Sequence, residues 1–389
     1  PADRSAFSVD LATVNERILE LAHAQSAGIR QHLDQAGVEI VHGRGTLTSE
    51  ATIEVTNDDA SWDVAADTIL FATGARPRVL AEATPDGERI LSWEQIYQLD
   101  ELPEHLIVVG SGVTGAEFAS AFHALGSTVT LVSSRDRVLP GEDVDAAGVL
   151  EDVVTRRGLN VRSRSRAVAA RRVDDSVIVT LDDSSTLQGS HVLMAVGSLP
   201  NTDDLGLESA GVSTDSRGFI TVDRVSRTSA RHIYAAGDCT GVNMLASVAA
   251  MQGRIAMYHA LGDAVAPLES TAISSTICTE PEIATVGLQQ ADLDSGSFRG
   301  TTVLLPLRTN ARAKMHGHRD GFVKIFARKG SQIVAGGDVV APNASELIHS
   351  ITLAVDNRLT VDQLAQAFTV YPSLSGSVAE AARRMHATQ

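Results

Sequence analysis

One six-residue turn constrains this chain more than any other feature. The apolar run Leu106-Ile107-Val108-Val109 leads into Gly110-Ser111-Gly112-Val113-Thr114-Gly115, and apolar positions at helical spacing follow over 116–125. A glycine triplet alone is usually just a turn, but between a buried strand and a helix it has a mechanical reading. Gly110 permits the tight turn, Gly112 lets backbone approach a pyrophosphate, and Gly115 lets the helix lie close to the strand. Phosphates would settle, beside Val113, on a helix N-terminus whose unpaired N–H groups and dipole favour negative charge. A second strand over 128–132 completes a βαβ unit of ordinary size.

The end of that second strand bears on which dinucleotide fits. NAD-specific sites usually place a carboxylate there to grip the ribose 2′-hydroxyl. This chain has Ser133-Ser134-Arg135-Asp136-Arg137, with no carboxylate at the expected position. Serines and arginines suit a 2′-phosphate, which favours NADPH over NADH. The alternative is that Arg135 and Arg137 are solvated surface charges and either nucleotide serves.

The rest of the chain bounds its class. Its 389 residues, 43% hydrophobic, suffice for two or three domains. A net charge of -16 argues against nucleic acid, whose affinity rests on Lys and Arg neutralising phosphates. No apolar run is long enough to span a bilayer and no signal peptide is evident, so the expected location is cytoplasmic. The two cysteines, Cys239 and Cys278, form neither a CxxC pair nor a zinc spacing and exclude a disulfide framework. Periodicity predicts a helix over 10–35, strands over 38–41, 52–55, 68–72, 177–181, 191–196 and 232–235, and an α+β region from 271 onward.

Three further strand ends carry glycine: Ala72-Thr73-Gly74, Ala195-Val196-Gly197 and Ala235-Ala236-Gly237-Asp238. Taken in order with the glycine turn, and with Gly197-Ser-Leu-Pro-Asn201, Gly218-Phe-Ile-Thr-Val-Asp223, Pro281-Glu-Ile-Ala-Thr-Val-Gly287 and Asn310-Ala-Arg-Ala313, they make a chain that resembles the flavoprotein disulfide reductases. The resemblance covers essentially the whole sequence. It implies an α/β fold of tandem FAD- and NAD(P)-binding Rossmann-like (three-layer ββα) domains with a C-terminal α+β dimerisation domain. The implied divisions are an FAD-binding domain at 1–100, an NAD(P)-binding domain at 101–200, a segment returning to FAD at 201–270, and an interface domain at 271–389. By the same resemblance Asp238, beside Gly237, bonds the flavin's ribityl chain, Ala246 lines the isoalloxazine, and Gly45, Thr73 and Gly74 touch FAD. Val168 and Gly197 are carried over to the NAD(P) site, and Glu117 to the nicotinamide ribose. The family's first βαβ unit, with its own glycine fingerprint and a Cys-x4-Cys redox pair, is expected before Pro1, so the resemblance describes a longer protein.

One departure decides the expected chemistry. Disulfide reductases of this family carry a His-Pro-Thr-x-x-Glu run near the C-terminus, in which the histidine shuttles a thiol proton and the glutamate orients it. Here the run is Tyr371-Pro372-Ser373-Leu374-Ser375-Gly376. A phenol with a reference pKa of about 10 is a poor base for thiol chemistry, though it can donate a hydrogen bond to a carbonyl. The alternative reading of Tyr371 is an interface aromatic with no chemical role. The departure matches the lipoamide-dehydrogenase-like NAD(P)H:quinone dehydrogenases, and implies a homodimer passing hydride from NAD(P)H to FAD and electrons to a quinone-type acceptor. Thiol-disulfide reduction and a low-turnover nucleotide-binding regulator are the competing expectations. His316 and His318 have no apparent third ligand and read as a polar hairpin rather than a metal site.

Overall fold

The computed structural model describes residues 8–387. The described residues divide into two compact units, one of residues 8–11, 79–196 and 270–387, the other of residues 12–78 and 197–269.

The first unit is built on a five-stranded parallel sheet in the order Ile90–Ser92, His191–Met194, His105–Val109, Thr128–Val132, Asn160–Arg162. A parallel sheet covered on both faces needs unbroken apolar strands. His105–Val109 meets that need: Leu106 and Val108 point to a core shared with the helices Val113–Leu125 and Val144–Arg156. Ile107 and Val109 point the other way, with Val177, Val179 and Leu181 of the antiparallel sheet Ala167–Val173, Ser176–Leu181, Thr186–Gly189. Helices, central sheet and second sheet make the three layers.

The same unit holds a five-stranded antiparallel sheet in the order Ser274–Ile277, Glu282–Gly287, Val334–Ala341, Phe322–Arg328, Gly300–Pro306. Val323, Ile325, Val339 and Ala341 pack from one face against Ala344–Asp356, Val361–Gln366 and Gly376–Ala387. Phe322 and Val340 join the other core, with Ala146, Ala147 and Leu150 of the helix Val144–Arg156.

In the second unit Ile69–Phe71 pairs in parallel with Ile233–Ala235, beside an antiparallel meander of Arg44–Ser49, Thr52–Thr56 and Ser61–Ala65. Leu47, Ile69, Phe71, Ile220, Ile233 and Ala235 form its core.

Three sequence expectations need adjustment. The segment over 38–41 is not a strand, and the meander starts at Arg44; an isolated extended run finds no partner for its backbone groups and so forms no sheet. The nucleotide-turn helix begins at Val113 rather than at 116, because Gly112 is already its N-cap. The helix Leu11–Gln35 has its predicted span, but of its residues only Leu11 and Asn15 are buried, while Ile18, Leu21, Ile29 and Leu33 are exposed. Among the described residues no helix is long and apolar enough to cross a membrane.

Candidate functional site

The glycine turn is dictated by steric contact. At Gly110 (φ +111°) a Cβ would stand 2.1 Å from the Ala195 carbonyl oxygen, and at Gly115 it would stand 1.8 Å from the oxygen of Gly110. No side chain fits either place. At Gly112 a Cβ would meet nothing within 4 Å, so glycine there leaves an open approach to the first turn of the helix Val113–Leu125. That helix has no side-chain cap, and the N–H groups of its first turn have no intrahelical partners. The turn thus combines a forced close approach with a free anion-binding end, which fits a dinucleotide pyrophosphate.

Glu117 lies one turn further on. Its Oε1 accepts a 2.7 Å hydrogen bond from the N–H of Cys278, which ties the helix to the end of the strand Ser274–Ile277. Burial, with the Glu117 charge next, pushes the exposed Cys278 thiol above its ordinary pKa. Sequence reading missed this partnership, because nothing near position 278 signals it.

Of the residues expected at the ribose, Ser134 and Arg135 are exposed, whereas Ser133 is fully buried. The Ser133 hydroxyl receives a 2.6 Å bond from Ser111 Oγ and a 3.1 Å bond from the Arg135 N–H, and donates to the Arg137 carbonyl at 3.1 Å. Arg137 is also engaged, its Nη2 donating to the carbonyls of Pro140 and Glu142. Val168 is exposed on the strand Ala167–Val173.

In the second unit the flavin candidates gather at the carboxyl ends of two adjacent parallel strands, where α/β ligands bind. Thr73-Gly74 follows Ile69–Phe71, and Gly237-Asp238 follows Ile233–Ala235. Gly74 (φ +69°) and Gly237 (φ +80°) take left-handed conformations that glycine adopts without strain. The Gly237 N–H donates to buried Gln252 at 2.8 Å, and Asp238 is half-buried at the start of a short turn. Ala246 opens the helix Ala246–Ala260, whose N-cap Leu245 supplies no capping bond. Gly45 sits in the meander opposite Val55, and Gly197 (φ +94°) accepts from the Arg78 N–H.

The Tyr371 loop is braced by a motif distant in sequence. Asn310 Nδ2 donates to the Ser373 carbonyl (2.9 Å) and to Ser377 Oγ (2.8 Å), and Arg312 Nε donates to the Pro372 carbonyl at 3.1 Å. Two of the quoted signposts are therefore one structural feature. The loop presents Phe368, Val370 and Tyr371 to solvent, at 107%, 76% and 85% exposure. Glu380, the nearest acid on the helix that follows, is bonded to Arg383 and Arg384, which hold its carboxyl below the usual range. His316 and His318 stack with ring centres 5.8 Å apart, and among the described residues no group of three or more His, Cys, Asp or Glu could hold a metal ion.

Comparison with known proteins decides the family. Residues 3–253 match the pyridine nucleotide-disulphide oxidoreductase family, and residues 273–382 match its dimerisation domain. The chain belongs to this family of oxidoreductases. It is 54% identical over 386 residues to a Mycobacterium tuberculosis (strain ATCC 25618 / H37Rv) protein named NAD(P)H dehydrogenase (quinone), covering 97% of this chain and 78% of that one. It is 32% identical over 382 residues to a dihydrolipoyl dehydrogenase of Haloferax volcanii, covering 96% of this chain and 80% of that one. Among solved structures, LpdA from Mycobacterium tuberculosis superposes with a TM-score of 0.93 at 53% identity, over 97% of this chain and 84% of that one. The Escherichia coli flavoprotein disulfide reductase RclA, at 23% identity and a TM-score of 0.87 over 96% of this chain and 86% of that one, shares the fold.

Membership gives the fold class in full: tandem Rossmann-like domains with a C-terminal dimerisation domain. It also implies binding of FAD and a pyridine nucleotide. The oxidoreductase's Tyr371 and Gly376 stand where the resemblance places a proton-relay histidine and its glutamate.

Proposed function

We propose that this protein is a FAD-dependent NAD(P)H:quinone oxidoreductase that works as a homodimer. The observation that carries the reading is the Tyr371–Gly376 loop, which offers no imidazole, while the neighbouring carboxylate of Glu380 is held by two arginines. Disulfide reduction needs a base near neutrality to move the thiol proton. Quinone reduction does not: NAD(P)H, one proton and the quinone become NAD(P)+ and hydroquinone. Bound flavin supplies the two-electron relay between them.

Each chain segment has a defined task in this reading. Gly110, Gly112, Val113 and Gly115 seat the nucleotide pyrophosphate, and Glu117, fixed by the Cys278 N–H, orients the nicotinamide ribose. Gly45, Thr73, Gly74, Gly237, Asp238 and Ala246 hold FAD, and Val168 and Gly197 border the nucleotide. Arg135 and Ser134, exposed at the end of a strand that lacks the carboxylate expected for a 2′-hydroxyl, favour NADPH while admitting NADH. Phe368, Val370 and Tyr371 form an exposed apolar run of the kind that marks an interface, and it lies within the matched dimerisation domain.

The test is steady-state oxidation of NADPH by a soluble quinone against oxidation by lipoamide or glutathione disulfide. Quinone turnover exceeding disulfide turnover by tenfold or more is expected. The 32% identity to a dihydrolipoyl dehydrogenase favours the second reading, and disulfide turnover rivalling that of quinone would establish it.

A further inference from the structure

The segment after the second strand departs from the role expected of it, and that departure carries an inference resting on the nucleotide reading above. A serine hydroxyl has one hydrogen to give and two lone pairs to receive. At Ser133 all three are used: Ser111 Oγ at 2.6 Å and the Arg135 N–H at 3.1 Å fill the lone pairs, and the hydrogen goes to the Arg137 carbonyl at 3.1 Å. The residue is 0% exposed and Ser111 is 6% exposed. Nothing of this hydroxyl remains for a ribose or a 2′-phosphate.

The bonds instead shape the segment. Ser111 belongs to the glycine turn, and its carbonyl accepts from the Leu139 N–H at 2.8 Å. The phosphate turn and the segment 133–139 are therefore sewn together twice, once through the two hydroxyls and once through backbone. Arg164 and Ser165 N–H groups close the far side on the carbonyls of Arg135 and Ser133, at 2.7 and 2.8 Å. What the folded segment leaves outward at the carboxyl end of the strand is Ser134, Arg135 and Asp136, of which the first two suit a ribose or its 2′-phosphate.

We propose that Ser133 is a positioning residue for the pyridine nucleotide: bridged to Ser111, it fixes the segment so that Ser134 and Arg135 meet the adenosine ribose, and it touches no nucleotide itself. A preformed segment spares the nucleotide the ordering cost it would otherwise meet on binding. Because Ser133 sets the shape for either nucleotide while Arg135 reads the 2′-group, the two residues should affect selectivity differently.

The experiment compares wild type, Ser133→Ala, Ser111→Ala, the double variant and Arg135→Ala in the intact flavoprotein. KM and kcat are measured for NADPH and NADH at saturating soluble quinone, with titration calorimetry of NADP+ and NAD+. Ser133→Ala should raise KM for both nucleotides by the same factor, about tenfold, or about 1.4 kcal/mol, with kcat unchanged. The double variant should be no worse than Ser133→Ala alone, since both single changes break one bridge. Arg135→Ala should raise KM for NADPH only. Unchanged KM in Ser133→Ala and in Ser111→Ala would overturn the proposal, and so would a loss confined to NADPH in Ser133→Ala, which would mean direct contact with the 2′-phosphate. Failure of the underlying nucleotide reading looks different: Gly112→Ala would then bind both nucleotides as wild type does.

Discussion

Replacing Lys324 by methionine is expected to destabilise the first unit by about 3–5 kcal/mol, the cost of removing one partner of a buried ion pair. Lys324 is 1% exposed in the strand Phe322–Arg328, and its Nζ reaches Asp143 at 2.9 Å and Asp145 at 2.7 Å. The two carboxylates are unequal. The Asp145 side chain is 48% exposed, so water can take over its charge and the loss there is small. The Asp143 side chain is 0% exposed. It also caps the helix Val144–Arg156, accepting from the N–H groups of Asp145 and Ala146, so it cannot turn away without uncapping the helix. With methionine at 324 it would be left as a buried anion beside Asp338, and most of the cost arises there.

The reporter is built in. The chain has two tryptophans; Trp93 packs against the first unit's core, while Trp62 lies in the other unit. In a Trp62→Phe background, urea unfolding followed by Trp93 fluorescence should show a lowered midpoint with an unchanged slope. Asp145→Asn should cost no more than about 1 kcal/mol. A Lys324→Met effect within 1 kcal/mol of zero, or one equalled by Asp145→Asn, would refute the argument that a buried, unrelieved Asp143 sets the magnitude.

Three other outcomes follow from the same structure. Asp338 is fully buried, and burial, with Asp143 next, pushes its pKa well above the usual carboxylate value. The folded state therefore holds a proton that the unfolded chain releases, and stability should fall as pH rises from the ordinary carboxylate range towards the raised value; Asp338→Asn should flatten that slope in urea midpoints taken across pH. His191 is depressed to about 4 by burial and then by Arg89, so the unfolded chain takes up a proton first as pH falls below about 6.5; His191→Gln should reduce the loss of midpoint between those two values. Gly112→Ala meets nothing within 4 Å and should fold within about 1 kcal/mol of wild type while losing nucleotide binding by calorimetry, whereas Gly115→Ala, with its Cβ 1.8 Å from the Gly110 oxygen, should unfold at markedly lower urea.

What the sequence made legible was local. Gly110, Gly112 and Gly115 announce their turn because three positions within six residues must lack side chains for separate steric reasons, two of them visible as backbone collisions. The strand-then-glycine ends at Gly74 and Gly237 are legible for the same kind of reason, a left-handed backbone immediately after an apolar run. The segment over 38–41 misled because alternation predicts a strand only where a neighbour supplies the other half of the ladder. The surroundings of Ser133 were not legible, because residue type says what a hydroxyl can bond, not what already surrounds it; its partner Ser111 lies 22 residues away.

The buried ion cluster shows where the boundary lies. Phe322-Val323-Lys324-Ile325-Phe326 places a lysine on the same strand face as two buried phenylalanines, and the fully buried strand Val334–Ala341 carries Asp338. Each is an ionisable residue where period-two alternation calls for an apolar side chain, which is a readable anomaly. Its resolution is not readable, because the register sets Lys324 directly opposite Asp338, yet the ammonium bonds Asp143 and Asp145 on a helix cap some 180 residues earlier. A buried charge in a strand thus announces that a partner must exist, since an unpaired one is too costly to persist. Which partner answers is fixed only by how the sheet docks on the nucleotide-binding layers, and that docking is itself held in place by the pair.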